Sequence, residues 1–172
     1  MVEERGFTLT ELLVVIAVMA LLTALTVPNL RLGGRQLALD RSAQRLAQDI
    51  GQAAELVLRA QSFDCGGTNF VSGYGVYFDT ATPTSYFIFV DCNDNQKYEA
   101  GPDQIIDTMN LESRVTISAL SISPNLSITF VPPKPEVWLN PGNATEVQIT
   151  LGTPDSGTRI VKVNNRGMID VD

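Results

Sequence analysis

Two sets of side chains in this 172-residue sequence could do chemistry, and both are built on carboxylates. In the first, Asp91, Asn93 and Asn95 fall at alternate positions, Lys97 can add its carbonyl, Glu99 continues the series, and Asp103 follows. Oxygens spaced in this way are how calcium loops surround one hard cation, so calcium is the candidate ion and no other cofactor is required. The match is incomplete. Gln96 stands where a helix–loop–helix calcium site needs glycine, Pro102 stands where it needs a closing bidentate acid, and Asp103 is one residue late. Asx-rich turns also form between strands with no ion at all. The second set is Glu11, alone at the mouth of a long apolar run, where a charge is costly and by default implies a functional partner.

What is absent narrows the field further. With no histidine, the chain has no Ser-His-Asp or Cys-His nucleophile and no HExxH zinc helix. Two cysteines cannot make a four-thiolate zinc site. A net charge of −7 suits a phosphate-gripping protein poorly. Asp91 and Asp94 could in principle serve as acid and base, as carboxylate pairs do in glycosidases. Acids clustered in a turn are more often solvated or ion-binding, so no enzyme is expected.

The elements that position these residues follow from hydrophobic patterning. No charge interrupts Leu12–Leu30, and as a helix Phe7–Leu30 would extend about 36 Å at ~1.5 Å per residue, enough to cross a bilayer's hydrocarbon core. The polar leader, residues 1–6, precedes this run, and no A-x-A cleavage site follows it, so the apolar segment is expected to be retained. Arg5 is the nearby cation, which places the N-terminus in the cytoplasm and the remainder outside. Pro28 is expected to kink the helix, with Gly33-Gly34 a second weak place. Leu39, Ala43, Leu46, Ile50, Ala53 and Val57 then form one stripe of an amphipathic helix over about Arg35–Gln61. Arg45–Asp49 and Glu55–Arg59 are spaced as i,i+4 pairs on it.

From Cys65 onward short β-rich runs replace the helical period. Strands are predicted near Tyr74–Asp79, Tyr86–Asp91, Val115–Ile122, Leu126–Val131, Val137–Leu139, Glu146–Leu151, Arg159–Val163 and Met168–Val171. The expected class is α+β: a long N-terminal helix whose outer half packs on an antiparallel sheet. Its divisions are a leader at 1–6, a transmembrane half at 7–30, an amphipathic half at 31–61 and an extracytoplasmic β-rich head at 62–172.

The segment Arg5-Gly6-Phe7-Thr8-Leu9-Thr10-Glu11-Leu12-Leu13-Val14-Val15-Ile16-Ala17 closely resembles the class III leader of type IV pilins and type II secretion pseudopilins. The resemblance implies that a prepilin peptidase cuts between Gly6 and Phe7 and N-methylates Phe7. It makes Glu11 the assembly carboxylate, which meets the terminal amine of a neighbouring subunit. It also implies a pilin-like fold, a single inner-membrane anchor, a periplasmic or extracellular head, and other pilins or pseudopilins as partners.

Two looser similarities point to the pseudopilin H and FimT group of minor pilins. These are the strand–acidic loop–strand element Phe89–Ile106 and the closing hairpin Arg159–Ile169. The implied role is a structural subunit of a short filament serving type II secretion or type IV pilus assembly. The alternative is DNA capture, as in some FimT-like pilins, through Arg159, Lys162 and Arg166. That group's tight arginine pair around the glycine is not reproduced here, and 13 acids face 6 bases from Ser62 onward. In an extracytoplasmic head Cys65 and Cys92 read as a disulfide, with two unpaired buried thiols as the other reading.

Overall fold

The computed structural model describes residues 7–59, 63–66, 72–133, 136–140, 142, 144–154 and 157–172, and of 26–32 the backbone alone. One helix, α1, runs from Leu9 to Leu58. Thr8 caps it through a reciprocal box: the Thr8 hydroxyl accepts from the Glu11 N–H, and the Thr8 N–H donates to the Glu11 carboxylate. The far end closes where the Arg59 N–H donates to the Glu55 carbonyl, reinforced by an Arg59–Glu55 ion pair at 2.7 Å.

The two halves of α1 have different surroundings. All six predicted stripe residues, Leu39 to Val57, are buried. In the first half, successive side chains are open on every face: Leu12 is 58% exposed, Leu13 62%, Val14 59% and Val15 43%. The backbone continues as helix through Pro28, whose side chain lies outside the described residues, as do Gly6 and the predicted helix end at Gln61. Among the described residues no helix is long and apolar enough to cross a membrane. The described apolar side chains stop at Leu25, and Leu9–Leu25 extends about 25 Å at ~1.5 Å per residue, short of a ~30 Å hydrocarbon core.

The head contains two antiparallel sheets, where the sequence suggested one. The larger joins β1 (Gly73–Asp79), β2 (Ser85–Asp91), β3 (Gln104–Asn110), β5 (Asn125–Val131) and β6 (Glu136–Asn140) in the order β3-β2-β1-β5-β6. The smaller joins β4 (Thr116–Leu120), β7 (Glu146–Thr153), β8 (Gly157–Asn164) and β9 (Ile169–Val171) in the order β4-β7-β8-β9. Alternation sorts the faces. Tyr74, Val76 and Phe78 of β1, Leu126, Ile128 and Phe130 of β5, and Val147, Ile149 and Leu151 of β7 form the core with the α1 stripe.

Two strand predictions change. β3 was absent from the predicted strands because its sequence does not alternate: of its side chains only Met109 is buried. It is an edge strand held by backbone pairing to β2. The run Val115–Ile122 shortens to β4, whose pairing with β7 slips between Ile117 and Ala119.

Polar contacts also tie the helix to the head. The Tyr86 hydroxyl donates to Asp49 at 2.6 Å, Arg159 pairs with Asp40 at 2.6 Å, and Arg41 pairs with Glu112 at 3.1 Å. Arg45 stands 3.9 Å from Asp49, a loose i,i+4 pair. Burial lifts the Tyr86 phenol far above its ordinary value, and the hydrogen bond and charge of Asp49 add to the effect against the opposing charge of Arg45. A raised phenol pKa means that the fold favours the protonated form. Its contribution is whole below about pH 10, the value of a free tyrosine, and is lost as pH rises above it. Tyr86→Phe is expected to lower stability at neutral pH by about 1–2 kcal/mol and to flatten the alkaline loss above about pH 10. Denaturant titrations of the full chain in detergent at several pH values measure both effects, and an unchanged alkaline slope would refute the assignment.

Candidate functional site

Two regions collect the residues singled out by the sequence. At the start of α1, Glu11 is solvent-exposed and its carboxylate lies 3.5 Å from both the N and the Oγ1 of Thr8. The acid thus sits at the positive end of the helix, where backbone N–H groups and the macrodipole favour negative charge. The signal for this cap is present in the sequence as Thr-x-x-Glu ahead of an apolar run. Phe7, the residue after the expected cut, is 85% exposed.

The second region is the loop between β2 and β3. Asp91 is fully buried and acts as its hub. One carboxylate oxygen accepts from the N–H groups of Asn93 (3.2 Å), Asp94 (2.8 Å) and Asn95 (3.4 Å), and the other from Gln96 (2.9 Å). Wrapping the chain around one carboxylate requires left-handed backbone at Asp94 (φ 60°) and Gln96 (φ 59°), a region that non-glycine residues seldom enter. Gln96 therefore adopts the conformation for which a calcium loop would use glycine. Its side-chain amide donates to the Asp94 carbonyl and carboxylate, which helps to hold it there.

Asp103 closes the loop, accepting from the Cys92 N–H at 3.0 Å and the Glu99 N–H at 2.7 Å. Burial raises its carboxyl pKa, the two backbone donors oppose that rise, and the charges of Asp91 and Glu99 add to it. Asn95 accepts from the Lys97 N–H, Asn93 donates to Glu99, and Lys97 pairs with Glu99 at 2.6 Å. The Lys97 hydrogen bond leads in holding the Glu99 carboxyl below the usual carboxylate range, so Glu99 is ionised at neutral pH.

The six residues proposed to ring calcium thus share one loop, but in this conformation the oxygens of Asp91 and Asp103 are turned onto N–H donors. Among the described residues no three acid or cysteine side chains form a group that could hold a metal ion. Spacing alone could not reveal this, because it fixes which residues are near one another and not which way their oxygens point.

Cys65 and Cys92 are joined in a disulfide, with Cα atoms 5.6 Å apart. It fastens the segment after α1 to the start of the loop, and closing a loop of 27 residues is worth about 3.5 kcal/mol in the chain-entropy model. Of the three candidate DNA-binding cations, two are paired with carboxylates. Arg159 pairs with Asp40 on α1, Lys162 pairs with Asp172, and Arg166 is exposed on the tight turn before β9. The hydrogen bond that Lys162 donates to Asp172 leads in raising the Lys162 pKa, so that ammonium remains charged but neutralised by its neighbour.

Replacing Asp91 with Ala would leave four loop N–H groups without their shared acceptor. The expected cost is about 3 kcal/mol or more, with faster amide exchange at residues 93–96. Exchange mass spectrometry checks this against Lys97→Ala, which removes only a rim charge and is expected to leave those amides protected. Equal protection in both variants would contradict the hub role.

The family comparison falls on the first of these regions. Residues 1–27 match the model of the prokaryotic N-terminal methylation motif. The chain is 34% identical over 100 residues to the pilin-like protein PilA1 of Thermus thermophilus, covering 58% of this chain and 56% of that protein. The match therefore spans little over half the length of this curated relative. No solved structure matches. A leader motif with an acid at Glu11, a long helix half-bare and half-buried, and an antiparallel head agree with that similarity: the chain carries a prepilin-type leader motif and is similar to a pilin-like protein.

Proposed function

We propose that this chain is a structural minor pilin or pseudopilin, cut by a prepilin peptidase between Gly6 and Phe7 and assembled into a short filament rooted in the inner membrane. The observation that carries the reading is the union of the leader motif with a helix half whose apolar side chains are bare on all faces. Fully burying each Leu, Val or Ile contributes roughly 1.5–3 kcal/mol, so the bare half needs a lipid or protein surround. In this reading residues 7–30 hold the subunit in the membrane until neighbouring helices take the place of lipid. The head then lies on the periplasmic or extracellular side, where the Cys65–Cys92 disulfide would persist.

Glu11 supplies the register. Its carboxylate is ionisable and exposed at the start of α1, while maturation would create a free amine at Phe7 four residues earlier. A charge pair between one subunit's Glu11 and the next subunit's Phe7 amine neutralises both in an apolar setting, where an unpaired charge is expensive. The acidic loop and the closing hairpin support placement in the pseudopilin H and FimT group, and hence a role in type II secretion or type IV pilus assembly. DNA capture gains little from the geometry, because carboxylates occupy two of the three candidate cations.

Intact-mass analysis of the protein from its host is expected to show residues 1–6 removed and one methyl group on Phe7. Glu11→Ala is expected to be processed and membrane-inserted yet depleted from sheared filaments, and Glu11→Asp is expected to restore part of the yield. A filament-incorporated protein that still begins at Met1, or normal incorporation of Glu11→Ala, would overturn the reading.

A further inference from the structure

The outer face of the larger sheet, turned away from α1, is only partly covered. Strand register places Tyr77 beside Ser127 and Ser127 beside Asn140, one row across β1, β5 and β6. The acidic loop folds over part of this face. The Tyr98 N–H donates to the Ser127 hydroxyl, and the Gln96 carbonyl accepts from Thr129 (2.8 Å) and Asn140 (2.5 Å). The Tyr98 ring packs on Tyr77 (4.9 Å between centroids), Phe87 (4.7 Å) and Phe89 (5.4 Å). Gly75 makes room for this stack, since a Cβ there would meet the Phe89 ring and the Ile128 carbonyl at 2.7 Å. Between loop and sheet a cleft of about 390 Å³ remains open, lined by Tyr77, Lys97, Tyr98, Glu99, Asn125 and Asn140.

We propose that this cleft binds a neutral saccharide unit, with the Tyr77 and Tyr98 rings as its apolar wall and the Asn125, Asn140 and Glu99 side chains as its polar wall. The cleft lies near the lower end of the size range of small-molecule sites. Its lining combines half-buried phenol rings, suited to the C–H face of a sugar, with amides and a carboxylate that exchange hydrogen bonds with hydroxyls. Lys97 and Glu99 neutralise one another at 2.6 Å, so an anionic ligand would face the carboxylate, a cationic one would face the ammonium, and an uncharged polyol disturbs neither. The walls are fixed without ligand by the Ser127, Thr129 and Asn140 hydrogen bonds, so little ordering cost remains for binding. No step of filament assembly is involved, and the proposal stands apart from the role of Glu11.

The test uses the full chain in a zwitterionic detergent without a sugar headgroup. Saturation-transfer NMR is run with methyl glycosides of neutral hexoses and N-acetylhexosamines, beside sialic acid and a lysine peptide. Transfer to the ring C–H protons of at least one neutral glycoside is expected, with Asn125→Ala and Glu99→Gln each weakening it about tenfold, the loss of roughly one good hydrogen bond. Tyr98→Ala is expected to abolish it, and the Asn125 and Glu99 variants keep the test decisive if that change loosens the loop. No transfer from any neutral glycoside, transfer unaffected by the Asn125 and Glu99 variants, or transfer from only sialic acid or the peptide would overturn the proposal.

Discussion

The head is held together by one strip of apolar contact along the second half of α1. Leu39, Ala43, Leu46, Ile50, Ala53 and Val57 lie against side chains of both sheets, and among the described residues no strand of one sheet pairs with a strand of the other. The helix is therefore the element through which the two sheets share a core. Small residues at Ala43 and Ala53 let the rod sit close to the strands, while Leu46 and Ile50 fill the space between. Ion pairs at Asp40–Arg159 and Arg41–Glu112 lie at the edge of this strip and set orientation more than energy, since exposed pairs contribute little.

That division of labour explains why one helix can serve two environments. Its head-proximal half satisfies its apolar face within the chain. Its N-terminal half has no such surface and is uniformly apolar in place of amphipathic. Continuity of the backbone between the halves couples whatever surrounds the first to the position of the head. A capping box at Thr8 and Glu11 gives the helix a defined start at the one carboxylate of its apolar half. The carboxylate that favours helix formation in the single chain is also solvent-exposed.

The loop after β2 shows how a polar segment is made rigid without secondary structure. Asp91 and Asp103 between them accept six backbone N–H groups, the disulfide anchors the entry, and Tyr98 docks on the sheet. A buried carboxylate that satisfies several donors is expensive to remove, because all of those donors lose their acceptor at once. The loop therefore presents Asn93, Asp94 and Lys97 from a fixed platform.

Much of this was legible in the residue order. The leader motif, the apolar run, the helical stripe and most strands rest on local periodicity and spacing, which act between near neighbours and so survive in one dimension. All six stripe residues are buried as their spacing predicts, and β1, β2, β5 and β7 fall within a residue or two of their predicted bounds. Edge strand β3 was not legible in the periodicity, because pairing with β2, and not burial, makes it a strand; the strand–loop–strand resemblance of Phe89–Ile106 alone implied it. The division into two sheets, the inward turn of Asp91 and Asp103, the pairing of Arg159 and Lys162 with carboxylates, and the aromatic cleft under Tyr98 were likewise decided in three dimensions. Each depends on the direction of a side chain relative to elements distant in sequence, and direction is fixed only when the whole core has packed.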